Sequence, residues 1–216
     1  TQMNYSFRKK NKIVKYIVIH YTGMKNLESA YSKLTNKSSQ VSCHYLITRK
    51  GIIFNLLCPT LKAWHSGKSQ WKNRKNLNDY SIGIELENKG HDYGYVNFSN
   101  SQYDSLKKLI FFLKKNFQIK EQDIIFHSDI SPNRKKDPGE KFQNHRAGIS
   151  RFKNNIPKKK NYSILDLLKI YGFSSFYIRK YKYDCIIAIK RSLNYREINN
   201  KIDNKFKLDF YNLLFK

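Results

Sequence analysis

The chain has 216 residues, 40% of them hydrophobic, and carries 42 lysines and arginines against 16 acidic residues, a formal net charge of +26. That length fits one medium domain, or one domain with a small appendage, and suffices for a sizeable core. No run of eighteen or more apolar residues occurs, which argues against a membrane-spanning helix. The odd set Cys43, Cys58 and Cys185, with no zinc-knuckle spacing, argues against a disulfide framework and reads as three buried apolar thiols. The charge favours polyanionic surroundings. The lysines are nevertheless spread along the whole chain among abundant Asn, Ile and Tyr, as in A+T-rich coding, and form no nucleic-acid motif or basic stripe.

Residues 13–20 are dense in β-branched side chains and predict a central strand that ends on His20. Residues 27–36 predict a short helix. Residues 43–49 and 52–57 predict a hairpin turning at Lys50-Gly51. The polar stretch 62–80 holds both tryptophans, Trp64 and Trp71, which suggests an ordered loop whose indoles either stack on sugar rings or pin the loop. Residues 81–87 predict another strand with Ile82, Ile84 and Leu86 on one face. Ser99 or Asn100 can cap a helix in which Tyr103, Leu106, Leu109, Ile110, Leu113 and Phe117 recur at helical spacing. A fifth strand, 124–127, follows directly, and strand–helix–strand order predicts a parallel crossover.

The fold class is therefore α/β: a mixed central sheet flanked by helices, followed by a small all-helical C-terminal module. A charged linker, Lys158–Lys160, divides residues 1–157 from residues 158–216. In the second part, apolar periods at 164–171, 183–193 and about 206–215 predict short helices.

The stretch from Phe126 to Gly139 is the chemical centre. It places His127 at a predicted strand end and Asp137 ten residues on, with Lys135 just before a Pro-Gly turn. Neutral imidazole nitrogen and carboxylate oxygen both suit zinc, and a catalytic zinc takes three protein ligands with one position open. His20, His127 and Asp137 supply three ligands, and Glu85 or Glu87 supplies a spare carboxylate for proton transfer.

Five stretches carry a resemblance: Ile17-Val18-Ile19-His20-Tyr21-Thr22; Ser42-Cys43-His44-Tyr45; Ala63-Trp64-His65-Ser66-Gly67; Asn78 to Asn88; and Phe126 to Gly139. In this order the chain resembles the zinc-dependent N-acetylmuramoyl-L-alanine amidases of the AmpD and AmiD type, which share a fold with peptidoglycan recognition proteins. The resemblance implies His20, His127 and Asp137 as ligands to one zinc ion and Glu85 as the catalytic glutamate. It also implies Lys135, in preference to Lys136, as the group that stabilises the oxyanion. Recognition proteins use cysteine as the third ligand, so Asp137 favours the AmpD and AmiD branch. The implied substrate is peptidoglycan or a muropeptide, cut between N-acetylmuramic acid, or its 1,6-anhydro form, and L-alanine. A non-catalytic recognition protein on the same fold is the alternative, and it predicts a lost ligand or base.

Tyr21, Trp64, His65 and His44 are candidate substrate contacts. For His44 a purely backbone-bonded role fits equally, and for Tyr21 a core role. The tail, Ile164 to Phe173 and Ile186 to Arg191, resembles the three-helix peptidoglycan-binding module of AmiD-like proteins, with Lys190-Arg191 where that module has Phe-Gln. The tail favours the bacterial cell envelope over the cytoplasm, and the charge would suit peripheral association with an anionic membrane surface. The N-terminal residues show no signal core, but the chain does not begin with Met, so this says little about location.

Overall fold

The computed structural model describes residues 4–150 and 162–215. A five-stranded mixed sheet organises the fold. Its strands are β2 (Tyr16–Tyr21), β3 (Tyr45–Ile47), β4 (Ile53–Asn55), β8 (Ser81–Leu86) and β9 (Ile124–Phe126), in the spatial order β4-β3-β8-β2-β9. Two small ribbons flank it, β1 (Tyr5–Ser6) with β5 (Lys62–Ala63) and β6 (Gln70–Trp71) with β7 (Arg74–Lys75). Strands β3, β8, β2 and β9 are mutually parallel along the sheet, and β4 is antiparallel to β3. The predicted hairpin and crossover are both present. In the crossover β8 and β9 are not neighbours, because β2 lies between them.

Strand parity sorts the side chains. Ile17, Ile19, Ile82, Ile84 and Leu86 face one side, where they pack against Leu106, Leu109, Ile110 and Leu113 of helix α2 (Asn100–Phe117). Ser99 caps that helix in a box with Gln102, which satisfies amide groups that the first turn leaves open. Helix α1 (Leu27–Thr35), capped by Asn26, packs through Leu34 on Cys43 and Leu46. Cys43 and Cys185 are buried as expected, whereas Cys58 is exposed.

Tyr16, Val18 and Ile125 face the other side of the sheet. There they meet α4 (Ile164–Tyr171), α5 (Ser175–Lys180), α6 (Lys182–Ser192) and α7 (Asn204–Phe215). These helices share one apolar cluster with the sheet, which includes Trp71, Leu77, Ile130, Leu168, Ile186 and Phe210. Trp71, wholly buried, makes edge contacts with Tyr171 and Phe173, so it pins its loop to the tail and is closed to sugar. The expected boundary at 157/158 and the lysine linker lie outside the described residues. The tail is helical where its apolar periods predicted, and α5 adds a helix that periodicity did not show.

The strand expected over 124–127 stops one residue early. His127 instead begins a one-turn helix, α3 (His127–Ile130), whose start is held by the Asp129 carboxylate accepting the Phe126 amide at 2.8 Å.

Candidate active site

The parallel register of β2 and β8 sets His20 beside Glu85 at the carboxyl ends of both strands. Because Ile84 and Leu86 face α2, Glu85 must project from the opposite face, the one His20 also uses. Open α/β sheets build their sites at such strand ends. Glu87 is removed from contention: its carboxylate accepts the Arg49 backbone amide at 2.7 Å, away from the cleft.

His127, at the start of α3, and Asp137, on the loop that follows, close on His20. The Nδ1 atoms of His20 and His127 are 2.8 Å apart, and Asp137 Oδ2 lies 3.0 Å from the first and 2.9 Å from the second. All three residues are buried. The loop is tied to α3 by the Ser128 amide, which donates to the Asp137 carbonyl at 3.0 Å.

Hydrogen bonds behind the two imidazoles fix which nitrogen faces inward. Ser81 Oγ–H donates to the Leu77 carbonyl at 2.6 Å, so its oxygen accepts from His65 Nε2, 3.1 Å away. His65 Nδ1 is then the acceptor for His20 Nε2–H, at 2.9 Å. His127 Nε2 faces the Ser66 carbonyl at 3.3 Å and must donate to it. In both rings the proton is therefore on Nε2, and both Nδ1 lone pairs converge on the Asp137 oxygen. Two lone pairs and a carboxylate oxygen in contact, with no proton between them, need a cation. The donor set suits zinc, whose bonds to nitrogen and oxygen run about 2.0–2.2 Å. Among the described residues this is the one group of three or more His, Cys, Asp or Glu side chains able to hold a metal ion.

The electrostatics agree. Burial, and then the neighbouring His127, lower His20 to about 4, so it is neutral and a competent ligand at physiological pH. Burial would raise Asp137, but its two imidazole neighbours, His127 and then His20, outweigh it and keep the carboxyl well below its ordinary range. Glu85 behaves in the opposite way. Burial and the nearby Asp137 push it well above its ordinary value, while Lys135 opposes the shift. Its Oε2 is buried and has no hydrogen-bond partner among the described residues. A carboxylate left in this condition is poised to take a proton.

A cleft of about 310 Å³ opens over these groups, lined by Tyr21, Trp64, Glu85, His127, Lys135 and Asp137 among others. Lys135 is half-buried and its charge reaches both Glu85 and His20, whereas Lys136 is exposed. Tyr21 lines the cleft with its hydroxyl 2.8 Å from His91 Nδ1, and Trp64 lines it with its indole N–H donating to Ser6 Oγ at 3.0 Å.

Two candidate contacts need correction. His44 is wholly buried and does not line the cleft. Its Nδ1 accepts the Gly83 amide at 2.9 Å and its Nε2 meets the Leu61 carbonyl at 3.1 Å, the backbone-bonded role. His65 reaches the cleft wall, but both its nitrogens are committed, to His20 and to Ser81, so it braces a ligand and has no nitrogen free for substrate. Ser81 and Gly83 were not singled out from sequence, although both stand in the stretch Asn78 to Asn88. An ideal Cβ at Gly83 would stand 2.5 Å from His65 Cγ, so glycine makes room for that imidazole.

The cleft and its two-histidine, one-aspartate group together make a candidate metal site at the strand ends of a mixed α/β sheet. The profile described as N-acetylmuramoyl-L-alanine amidase matches residues 9–140, more than half of the chain, and the chain belongs to that family. It is 38% identical over 141 residues to N-acetylmuramoyl-L-alanine amidase AmiD of Escherichia coli, covering 60% of this chain and 50% of that protein. It is 40% identical over 104 residues to 1,6-anhydro-N-acetylmuramyl-L-alanine amidase AmpD of Haemophilus influenzae, covering 48% and 54%. The chain thus spans about half the length of the curated relatives it matches.

Among solved structures, it resembles E. coli AmiD in complex with anhydro-N-acetylmuramic acid-L-Ala-D-γ-Glu-L-Lys, with a TM-score of 0.76 and 27% identity over 96% of this chain and 91% of that one. It also resembles AmpDh3 of Pseudomonas aeruginosa, with a TM-score of 0.78 and 25% identity over 99% and 97%. Such coverage includes the helical tail.

Proposed function

We propose that this chain is a zinc-dependent amidase that hydrolyses the bond between the lactyl carbonyl of N-acetylmuramic acid, or of its 1,6-anhydro form, and the nitrogen of L-alanine. The observation that carries the reading is the convergence of two imidazole lone pairs and the Asp137 oxygen in one cleft with Glu85, whose buried Oε2 has no hydrogen-bond partner among the described residues. The relatives' names supply the substrate class.

His20, His127 and Asp137 would hold one zinc ion. Zinc bound there supplies Lewis acidity toward the scissile carbonyl and acidifies water. Glu85 takes a proton from the attacking water and delivers it to the alanine nitrogen as the carbon–nitrogen bond breaks, which its raised pKa suits. The Lys135 ammonium donates to the oxygen that gains charge when the carbonyl is attacked. Tyr21 and Trp64 present an aromatic wall to the sugar or peptide. A non-catalytic recognition role predicts a missing ligand or base, and all four groups are present. The bacterial cell envelope is the favoured location, supported by likeness to AmiD along the tail as well as the sheet. No helix among the described residues is long and apolar enough to cross a membrane.

The test is release of free stem peptide from intact peptidoglycan and from anhydro-muropeptide, by wild type and by Glu85→Ala, with zinc content measured for both. Cleavage by wild type, lost in the zinc-loaded variant, supports the reading. Absence of cleavage by zinc-loaded wild type on both substrates would move the assignment to recognition without catalysis.

A further inference from the structure

We infer that Tyr171, in the helical tail, is a positioning residue for the metal-binding group, acting through Asp129 on helix α3. The inference rests on the metal-centre reading above. Helix α3 has four residues, a single turn, too short to hold its own geometry. Yet it carries His127 directly, and it holds the Asp137 loop through the Ser128 amide. Its anchor is the Asp129 carboxylate, wholly buried. One oxygen accepts the Phe126 amide at 2.8 Å, and the other accepts the Tyr171 hydroxyl at 2.7 Å.

Tyr171 is itself immobilised. It is 1% exposed at the end of α4, with Trp71 and Phe210 edge-on to its ring at centroid distances of 5.5 and 5.8 Å, and Phe173 stacked on it at 5.1 Å. The Gly172 carbonyl next to it accepts the Lys72 amide at 2.7 Å, which fastens the end of α4 to the loop bearing Trp71. The path from tail to site is therefore short and wholly buried: Tyr171 hydroxyl, Asp129 carboxylate, α3, then His127 and Asp137. Groups that orient metal ligands in this way commonly change metal affinity about 10–100-fold when lost.

The test compares wild type, Tyr171→Phe and Phe206→Leu as 216-residue chains. Tyr171→Phe removes one hydroxyl and keeps the ring. Phe206→Leu loosens the same apolar cluster at a buried ring that packs on Tyr195 and Phe210. The readouts are zinc affinity by chelator competition, the visible absorption of the cobalt-substituted site, and thermal unfolding without metal. Tyr171→Phe is expected to bind zinc about 10–100-fold more weakly and to shift the cobalt spectrum, while Phe206→Leu keeps both near wild type despite a lower melting temperature. Wild-type affinity and spectrum in Tyr171→Phe would overturn the inference, and so would equal loss in Phe206→Leu, which would mean general loosening. If Tyr171→Phe fails to fold, Asp129→Asn carries the same comparison. A wild type that binds no zinc would refute the metal-centre reading itself, and the inference with it.

Discussion

His65 Nδ1 lies 2.9 Å from His20 Nε2, and with Ser81 behind it this contact fixes His20 Nδ1 as the lone pair that faces Asp137. Orientation of a metal ligand by its distal nitrogen is worth about 10–100-fold in affinity. His65→Ala is therefore expected to weaken zinc binding by about that factor, and Ser81→Ala to weaken it less but in the same direction. Chelator competition measures both.

Gly83 makes the space that His65 occupies. A methyl group there would stand 2.5 Å from the imidazole Cγ, and the ring, held at both nitrogens, cannot swing away. Gly83→Ala is expected to destabilise the fold by about 1–3 kcal/mol through overpacking and to lower zinc affinity as His65 shifts. Urea unfolding and zinc titration of the same variant test the two parts.

Glu85→Gln separates chemistry from binding. Loss of the proton-transfer group should lower kcat by about 10²–10⁴-fold with zinc content retained. Stability should move the other way. The folded-state pKa of Glu85 is raised, so the folded chain binds more protons than the unfolded chain between the ordinary glutamate pKa and the raised value, and wild-type stability falls as pH rises through that window. Gln at this position carries no such penalty. Metal-free Glu85→Gln is expected to unfold at a higher temperature than metal-free wild type at pH 7, and calorimetry reads the difference.

His44 gives the opposite slope. Burial lowers it to about 3, whereas in the unfolded chain it titrates near 6.5. The unfolded state then binds the extra proton between those values, so stability is fully present above about pH 6.5 and is lost as pH falls toward 3. Each such histidine contributes up to about 1.4 kcal/mol per pH unit. His44→Gln should flatten the measured slope of stability against pH by up to that amount per unit.

Lys135 and Lys136 are adjacent and both line the cleft, the first half-buried and the second exposed. Lys135→Ala is expected to lower kcat by about 10²-fold or more, in the range seen when an oxyanion donor is removed. Lys136→Ala should leave kcat within about twofold. Steady-state kinetics on one muropeptide distinguishes them.

Much of the site could be read from the chain because strand periodicity is local. Ile82, Ile84 and Leu86 on one face require Glu85 on the other, and the β-branched run before His20 marks a strand end. What escaped depends on contacts between distant residues. The apolar run Ile124-Ile125-Phe126 does not say where the strand stops; the Asp129 carboxylate decides that by capping the Phe126 amide. Trp71 sits in a polar stretch, and its burial depends on Tyr171 and Phe173, a hundred residues away in the chain. His44 reads equally as a substrate contact and as a backbone-bonded histidine until the fold shows both of its nitrogens bonded to backbone. The tail's helical periods were visible, but its packing on the sheet was not, because periodicity marks an apolar face without naming what covers it.

The most direct measurement is mass spectrometry of the products formed from a purified anhydro-muropeptide, with enzyme as prepared, after chelation, and after zinc is restored. A zinc amidase predicts free peptide beginning with the L-alanine amine and a sugar bearing a lactyl carboxylate, both lost on chelation and recovered with zinc. Products that retain the sugar–alanine bond, or cleavage unaffected by chelation, would contradict it.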